Sequence, residues 1–490
     1  MGSELDYLPA ICSSMASNFG DEIAFKRVSD LEADKKLFVE DGNHGEYRPL
    51  PHEFVDDGIP FVRPPNLVNG RIDLGECQTI NQTAFERVRK GKGKGGDVVL
   101  THNATVGRVA ITKESDPDFV TNPQTTVWRT LDKGLIDGKF LYYFMRSRGF
   151  QEQLRAHTGR NATFDYVSLT KQRSMFVPIL EIGYQKSIAH ILGTLDDKIE
   201  LNRRMNVTLE SMARALFKSW FVDFDPVIDN ALAAGNPIPE PMSARAQSRR
   251  DLGTKRKPLP KNIQKLFPDA FVFDDVLGWV PERWECGQLQ LHVDVLNGYA
   301  FKSRDYSSHG IFVLRTKNFN SAGVVEFLAD DVHLPESFLE DYERYLCEPF
   351  DYHLIMVGAS VGNRGLIQPH QLPAFRNQNM WCFRPSVDSF VSRVFVKYML
   401  DSLIVEKIGL ASGSARAFFR KGDFQNHLIG IGGKEIQNAF EELAFPLLKR
   451  SCDGNAASES LAKLRDTLLP KLLSGELRIP DAEKLVANSL

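Results

Sequence analysis

The stretch Tyr184–Phe224, YQKSIAHILGTLDDKIELNRRMNVTLESMARALFKSWFVDF, constrains this chain more than any other. It holds no Gly after Gly193 and no Pro before Pro226, so it can run as about ten helical turns. Apolar residues recur at alternating steps of three and four: Ile188, Leu192, Leu195 and Ile199, then Leu209, Ala213, Leu216 and Trp220. That spacing predicts the seam of a helix paired along its length with another long helix. Asn202 and Asn206 fall on the same seam, where a polar residue costs stability but fixes register. At 1.5 Å per residue such a helix is about 60 Å long.

The chain has 490 residues, too many for one ordinary core, so two or three domains are expected. At 42% hydrophobic and 25% charged residues the composition is that of a globular protein, and no apolar run approaches the roughly 18 residues of a membrane span. The N-terminus shows no secretory pattern, and the six cysteines are scattered singly, without zinc-site or disulfide spacing. A reducing cytoplasm is the expected compartment, with no metal and no cofactor. A net charge of −3 neither demands nor excludes nucleic acid, so any polyanion site must come from local patches.

Two halves of the chain correspond at a shift of 252 to 255 residues. Phe61–Asn66 meets Val313–Asn318, Thr105–Gly107 meets Ser360–Gly362, and Gln124 meets Gln378. Phe144-Met145 meets Tyr398-Met399, Thr158-Gly159 meets Ser412-Gly413, and Leu209, Ala213 and Phe217 meet Leu464, Leu468 and Leu472. Six matches in one order predict a globular unit followed by a long helix, twice, related by a pseudo-two-fold repeat. The β-rich stretches lie at 58–111 and from Leu277 through GIFVLRTKNF, GVVEFLADDV and HLIMVGASVGNRGLI. Helices are expected at Lys139–Leu154, at Phe390–Ile408 and over Lys434–Leu477, the last broken near Asp453–Gly454. Asp225–Phe267, with six prolines and a basic cluster that includes Arg245, Arg249 and Arg250, reads as a linker.

These residues resemble the specificity subunits of type I restriction–modification systems. The matching stretches are Pro178, Gln185, Ile188, Leu192, Leu195, Asp196, Ile199 and Asn202 in their spacing, then LExMARALFKSWFVDFDPV over Leu209–Val227 and LRDTLLPKLLSGEL over Leu464–Leu477. Leu277–Glu285, LGWVPERWE, is similar to the family's usual opening of a target-recognition domain. Two departures stand out: the first half has no IPxxW-type opening, and the second has GGKEIQNAFEEL where a Pro…Gln…Ile pattern is usual.

The resemblance implies an α+β fold, with two α/β target-recognition domains separated by two long antiparallel helices that form a coiled-coil spacer. The boundaries would be 1–177 for the first recognition domain, 178–225 for the central helix and 226–276 for the linker. The second recognition domain would span 277–432 and the C-terminal helical region 433–490. It also implies a non-catalytic DNA-binding subunit that reads a bipartite target. Its partners would be double-stranded DNA, two methyltransferase subunits and restriction subunits, without a membrane. The competing reading is a coiled-coil scaffold that never reads DNA. Helix pairing or partner docking would use Ile188, Leu192, Leu195, Asn202, Asn206, Met212, Phe217, Phe221, Leu464, Leu468 and Leu472. Apolar residues partly off the seam, Met212, Phe217 and Phe221 among them, would leave surplus surface for a separate subunit.

DNA recognition needs cations for phosphates and planar hydrogen-bonding groups for base edges. Arg89, Lys90, Lys92 and Lys94 alternate with glycines over 87–96, where a solvated hairpin tip is the competing reading. Asn103 and Arg108 lie in THNATVGR, and Arg364 lies in its counterpart GASVGNRG. Arg160 and Asn161 correspond to the tract that carries Arg416 and Arg420, in loops that could equally cap helices. Arg315 and Lys317 follow the second-half strand, and Asn377, Gln378 and Asn379 in RNQNMW have amides suited to adenine, with buried turn amides as the competing reading. Catalysis is not expected: no [ND]PP[YF] tetrapeptide, glycine-rich cofactor loop or nuclease carboxylate pair is found.

Overall fold

A computed structural model describes residues 23–43, 45–158, 165–255, 258–320, 323–408 and 419–489. They form two units, 1–201 with 457–490, and 202–456. Among the described residues no helix is long and apolar enough to cross a membrane.

In the first unit a six-stranded sheet runs in the order Leu37–Asp41, Thr125–Thr130, Val98–Thr101, Val109–Ile111, Arg71–Ile72 and Leu67–Val68. A second sheet of five strands centres on Ile59–Val62, which pairs in parallel with Phe119–Thr121, Phe61 opposite Val120. The buried run VVLT of the sheet centre carries β-branched residues that suit a strand covered on both faces. The second unit repeats the plan. Val293–Asn297, Met380–Pro385, Tyr352–Ile355 and Arg364–Leu366 make one sheet, and Ile311–Leu314 pairs in parallel with Ala374–Arg376, Val313 opposite Phe375. The expected strand GVVEFLADDV contributes only isolated bridges at Val324 and Val325, because its side chains are bounded by turns on both sides.

One small strand pairing recurs in both units. Ala24–Arg27 lies antiparallel to Phe176–Ile179, and Glu285–Gln288 lies antiparallel to Leu428–Ile431. The first-half pairing forms without an IPxxW-type sequence. Each pairing leads into a long helix, Ile182–Phe217 after the first and Lys434–Leu473 after the second. Gln185 and Gln437 are both buried in the first turns of these helices. Gln185 donates to the carbonyls of Leu135 (2.9 Å) and Leu180 (2.8 Å) and accepts from the Asp137 N–H (3.0 Å), tying helix to sheet.

In each unit a segment of one long helix lies antiparallel to a segment of the other. In the first, Ile188, Leu192, Leu195 and Ile199 pack with Leu461, Leu468 and Leu472. Arg465 Nη1 meets Asp196 Oδ1 at 2.6 Å, and the other Asp196 oxygen accepts from Tyr143 OH at 2.7 Å. In the second, Ala213, Phe217, Trp220 and Phe221 pack with Phe440, Ala444 and Leu448. Glu210 there plays the part of Asp196, accepting from Lys397 Nζ at 2.6 Å and Tyr398 OH at 3.1 Å. A carboxylate on the helix thus anchors the helix that flanks each sheet.

Four local expectations change. The central α-helix ends at Phe217 and widens into a π-turn over Lys218–Val222, and Phe224 turns it with φ of 53°. The C-terminal helix continues through Asp453–Gly454 without a break; a Cβ on Gly454 would lie 2.7 Å from Asn206 Oδ1, so the glycine admits that side chain. Lys139–Leu154 is two helices divided at Ser147, whose hydroxyl accepts from the Phe150 N–H. The tract read as a linker is folded: helix Asp225–Ala234 pairs with helix Ser243–Asp251 through Arg245 on Asp225 (2.7 Å) and Arg249 on Asp229. Its prolines open helices and turns at positions that lack a donor requirement.

Candidate nucleic-acid interface

The candidate residues of the first unit meet mostly at one end of its sheets. Val98–Thr101 and Val109–Ile111 are joined by the turn His102–Arg108, which Ala104 enters with φ of 61° and Gly107 leaves with φ of 98°. Asn103 bridges to Tyr166, and the Ala104 N–H donates to the Asp165 carbonyl at 3.0 Å. The His102 N–H donates to the Gln124 carbonyl at 3.0 Å, placing the Asn122–Thr125 turn beside them. Gly42 packs against the Asn122 backbone so closely that a Cβ would lie 2.4 Å from it. Its neighbour Asn43 accepts from the Arg89 N–H at 3.0 Å, which brings Arg89 and Lys90 to the same edge. Arg89 stacks over Tyr47 at 4.1 Å, and Gly91 donates to Glu40, a carboxyl that burial pushes above its ordinary value.

The second unit builds the same cluster. The Met356 N–H donates to the Asn379 carbonyl at 3.1 Å, and the Phe419 N–H donates to the Met356 carbonyl at 3.0 Å, bringing Arg420 alongside. Gln378 N–H donates to the Tyr299 carbonyl at 2.9 Å. The local frame is also repeated: Asn66 and Asn318 each accept, at 2.9 Å, from the N–H of the arginine three residues earlier, and each donates to the carbonyl of a glutamate, Glu76 or Glu326.

Other expected site residues lie elsewhere. Lys92 Nζ sits over Phe85 at 4.5 Å, and Lys94 lines a cleft with Asp97, Glu114 and Asp197 at the other end of the strands. Arg315 is held by Asp331 (3.6 Å), Lys317 by Asp330, and Arg364 by Asp401 (2.9 Å), so these three cations are neutralised inside their own unit. Arg160, Asn161 and Arg416 lie outside the described residues. Of the helix residues, Ile188, Leu192, Leu195, Asn202, Phe217, Phe221, Leu468 and Leu472 are buried, while Leu464 and Asn206 are half-buried. Phe217 and Phe221 therefore fill the aromatic core, with Phe395 and Phe440 against them, and offer no surplus surface; Met212, 53% exposed, does. Sequence reasoning missed Tyr166 and Tyr299, whose only signal was their spacing from the repeated turns.

Asp351, His353 and Cys382 place ligand-type atoms within 4.8 Å of one another in the second core. The Asp351 carboxylate is already taken up by Arg384 (3.0 and 2.5 Å), Arg393 and the Glu348 N–H (2.8 Å). Burial pushes the Cys347 and Cys382 thiols up, toward the neutral form. The cluster is a filled polar core rather than a cation site.

Two mixed units, each presenting the same loop cluster and joined to the same pair of helices, define a duplicated recognition protein. Residues 38–211 match the family model of the type I restriction modification DNA specificity domain. The chain is 25% identical over 442 residues to the type I restriction enzyme MjaIX specificity subunit of Methanocaldococcus jannaschii, covering 88% of this chain and 89% of that one. It is 26% identical over 445 residues to the HindI specificity subunit of Haemophilus influenzae, covering 86% and 94%. The crystal structure of the type I restriction–modification S subunit from M. genitalium shares the fold, with a TM-score of 0.50 at 15% identity over 92% of this chain and 96% of that one. The similarity to specificity subunits of type I restriction–modification systems thus extends over most of the chain.

Proposed function

We propose that the chain binds duplex DNA at a two-part target, one part read by each unit. The observation that carries this reading is the loop cluster formed twice from corresponding segments: 102–108, 122–125 and 165–167 in one unit, and 356–363, 377–380 and 419–420 in the other. Arg89, Lys90, Asn103 and Arg108 serve the first cluster, and Gln378 and Arg420 the second. The recognition domains are assigned to 1–177 and 277–432, and the long helices carry the docking surface for two methyltransferase subunits. Restriction subunits join that complex, and the chemistry belongs to the partners. Work on cellular DNA without a membrane places the complex in the cytoplasm.

The test is to co-express the chain with a methylation subunit of a type I system and map the methylated adenines. A split motif with a fixed gap is expected. Methylation without such a motif, or binding to duplex DNA with no salt dependence, overturns the reading in favour of a scaffold.

A further inference from the structure

We propose that each unit holds the DNA backbone beside the bases it reads with an arginine laid flat on a tyrosine: Arg89 on Tyr47 in the first unit, and Arg344 on Tyr345 in the second. This rests on the DNA-binding reading above.

The two arginines occupy the same place in the repeated fold. In the first unit the strand Leu37–Asp41 ends at Gly42, where a Cβ would lie 2.4 Å from the Asn122 backbone. In the second the strand Val293–Asn297 ends at Gly298, where a Cβ would lie 1.8 Å from the Asn377 carbonyl oxygen. A glycine thus lets each strand end approach the turn that carries Asn122 or Asn377. The residue after each glycine holds the arginine segment beside that turn. Asn43 Oδ1 accepts from the Arg89 N–H at 3.0 Å. Tyr299 packs its ring on Tyr345 at 4.9 Å, and its carbonyl accepts from the Gln378 N–H at 2.9 Å. Arg344 follows Arg89 at the offset that also matches Asn377 to Asn122.

Both guanidinium groups stack on a ring, Arg89 at 4.1 Å from the Tyr47 centroid and Arg344 at 4.7 Å from that of Tyr345. Both arginines are exposed, and among the described residues neither has a carboxylate in ion-pair contact, although Asp341 and Glu343 are close to Arg344 in sequence. Their neighbours are differently employed. Lys90 faces the Glu40 carboxylate. Arg376, also over Tyr345 at 5.8 Å, is buried and donates to the carbonyls of Asn297 (3.0 Å), Leu346 (2.8 Å) and Arg344, so it serves the fold.

Stacking takes up one face of a guanidinium and leaves the N–H groups in its plane free to donate. It also limits the rotamers of a long side chain, so the donor fork is set before DNA arrives. A phosphate accepts that fork through two oxygens. The two parts of a split target differ in sequence, so a device common to both units suits what both parts share, the sugar–phosphate backbone. The tyrosine comes from 42 residues upstream of its arginine in one unit and from the adjacent position in the other, so the pair is visible only in the folded chain.

The experiment uses the chain in complex with a methylation subunit of a type I system. It measures affinity for duplex DNA carrying the mapped motif over a range of salt. Arg89→Gln and Arg344→Gln each make the slope of log affinity against log salt shallower by about 1, and the double variant by about 2, with the methylated motif as in the parent. Arg344→Lys keeps the parent slope but binds about 2- to 5-fold more weakly, because the charge remains while the planar stacked fork is lost. Tyr47→Phe, which keeps the ring, matches the parent, and Tyr47→Leu weakens binding as Arg344→Lys does. A parent-like slope in Arg344→Gln overturns the inference. So does a changed base requirement in one half of the motif for either arginine variant, which makes that residue a base reader. In both cases a steep slope in the parent leaves the DNA-binding reading standing, whereas a parent complex whose affinity does not respond to salt fails that reading itself.

Discussion

Asn206 Nδ2 donates to Asn455 Oδ1 at 2.7 Å across the paired helices of the second unit, and Gly454 leaves the space in which Asn206 sits. An apolar seam tolerates sliding by a turn; an amide-to-amide hydrogen bond on that seam forms at one register only. Asn455→Ala leaves the Asn206 amide without its acceptor and should cost about 1–3 kcal/mol in urea unfolding. Gly454→Ala should cost a similar amount, because its Cβ would meet the Asn206 oxygen at 2.7 Å. Combining Gly454→Ala with Asn206→Ala should cost less than the sum of the two single changes. Strict additivity would show that the two positions do not touch.

Met212 and Phe217 separate partner docking from folding. Phe217 is buried among Phe221, Phe395, Tyr398 and Phe440, so Phe217→Ala should destabilise the chain by about 3–5 kcal/mol. Met212 is 53% exposed on the same helix, so Met212→Asp should leave the melting temperature within a degree or two. The same change should abolish co-purification of the methyltransferase subunit. Retained co-purification with Met212→Asp would move the docking surface off this helix face.

What was legible in the sequence was periodic or repeated. Ile188, Leu192, Leu195 and Ile199 announce a buried stripe, and they are buried against the C-terminal helix. Gln124 and Gln378 were matched by position, and both lie in the turns beside the corresponding loops. What stayed hidden depends on partners far along the chain. Nothing near Arg364 in sequence announces that Asp401 will neutralise it, and nothing near Ala24 announces a strand completed by Phe176–Ile179. Composition over 225–267 suggested a linker because prolines and arginines are common in linkers. The fold instead uses Arg245 and Arg249 as counter-ions for Asp225 and Asp229.

Asp196 joins three elements of the first unit, through Tyr143 (2.7 Å), Arg465 (2.6 Å) and Arg146 (3.5 Å). Arg465 is the partner with most to lose, since its side chain is only 13% exposed. Asp196→Asn keeps the shape and one acceptor but leaves Arg465 with only the exposed Asp466 (2.7 Å) as countercharge, and should cost about 1–3 kcal/mol. Arg465→Met, which removes the charge together with its need for a partner, should recover part of that loss in the Asp196→Asn background. Calorimetric unfolding of the four proteins measures the coupling, and a coupling near zero would show that Asp196 and Arg465 act independently.

His353 makes the second unit acid-sensitive. Burial among Cys347, Cys382 and the Asp351 backbone pushes its imidazole down to about 4, against the opposite pull of the Asp351 carboxylate. The folded ring is therefore neutral at pH 6, while the unfolded chain takes up a proton near the ordinary value of about 6.5. Between those two values the unfolded state binds more protons, so stability falls as the pH drops from about 6.5 to about 4 and levels off below. The total loss from this one ring is on the order of 3 kcal/mol. Asp351 is desolvated, yet hydrogen bonds from Arg384 hold it below the usual carboxylate value, so its own contribution is lost only at still lower pH. His353→Gln should lower stability at pH 7 and flatten the slope between pH 6.5 and 4.5, measured by urea unfolding at half-unit steps. A parent-like slope in the variant would place the acid sensitivity on another group.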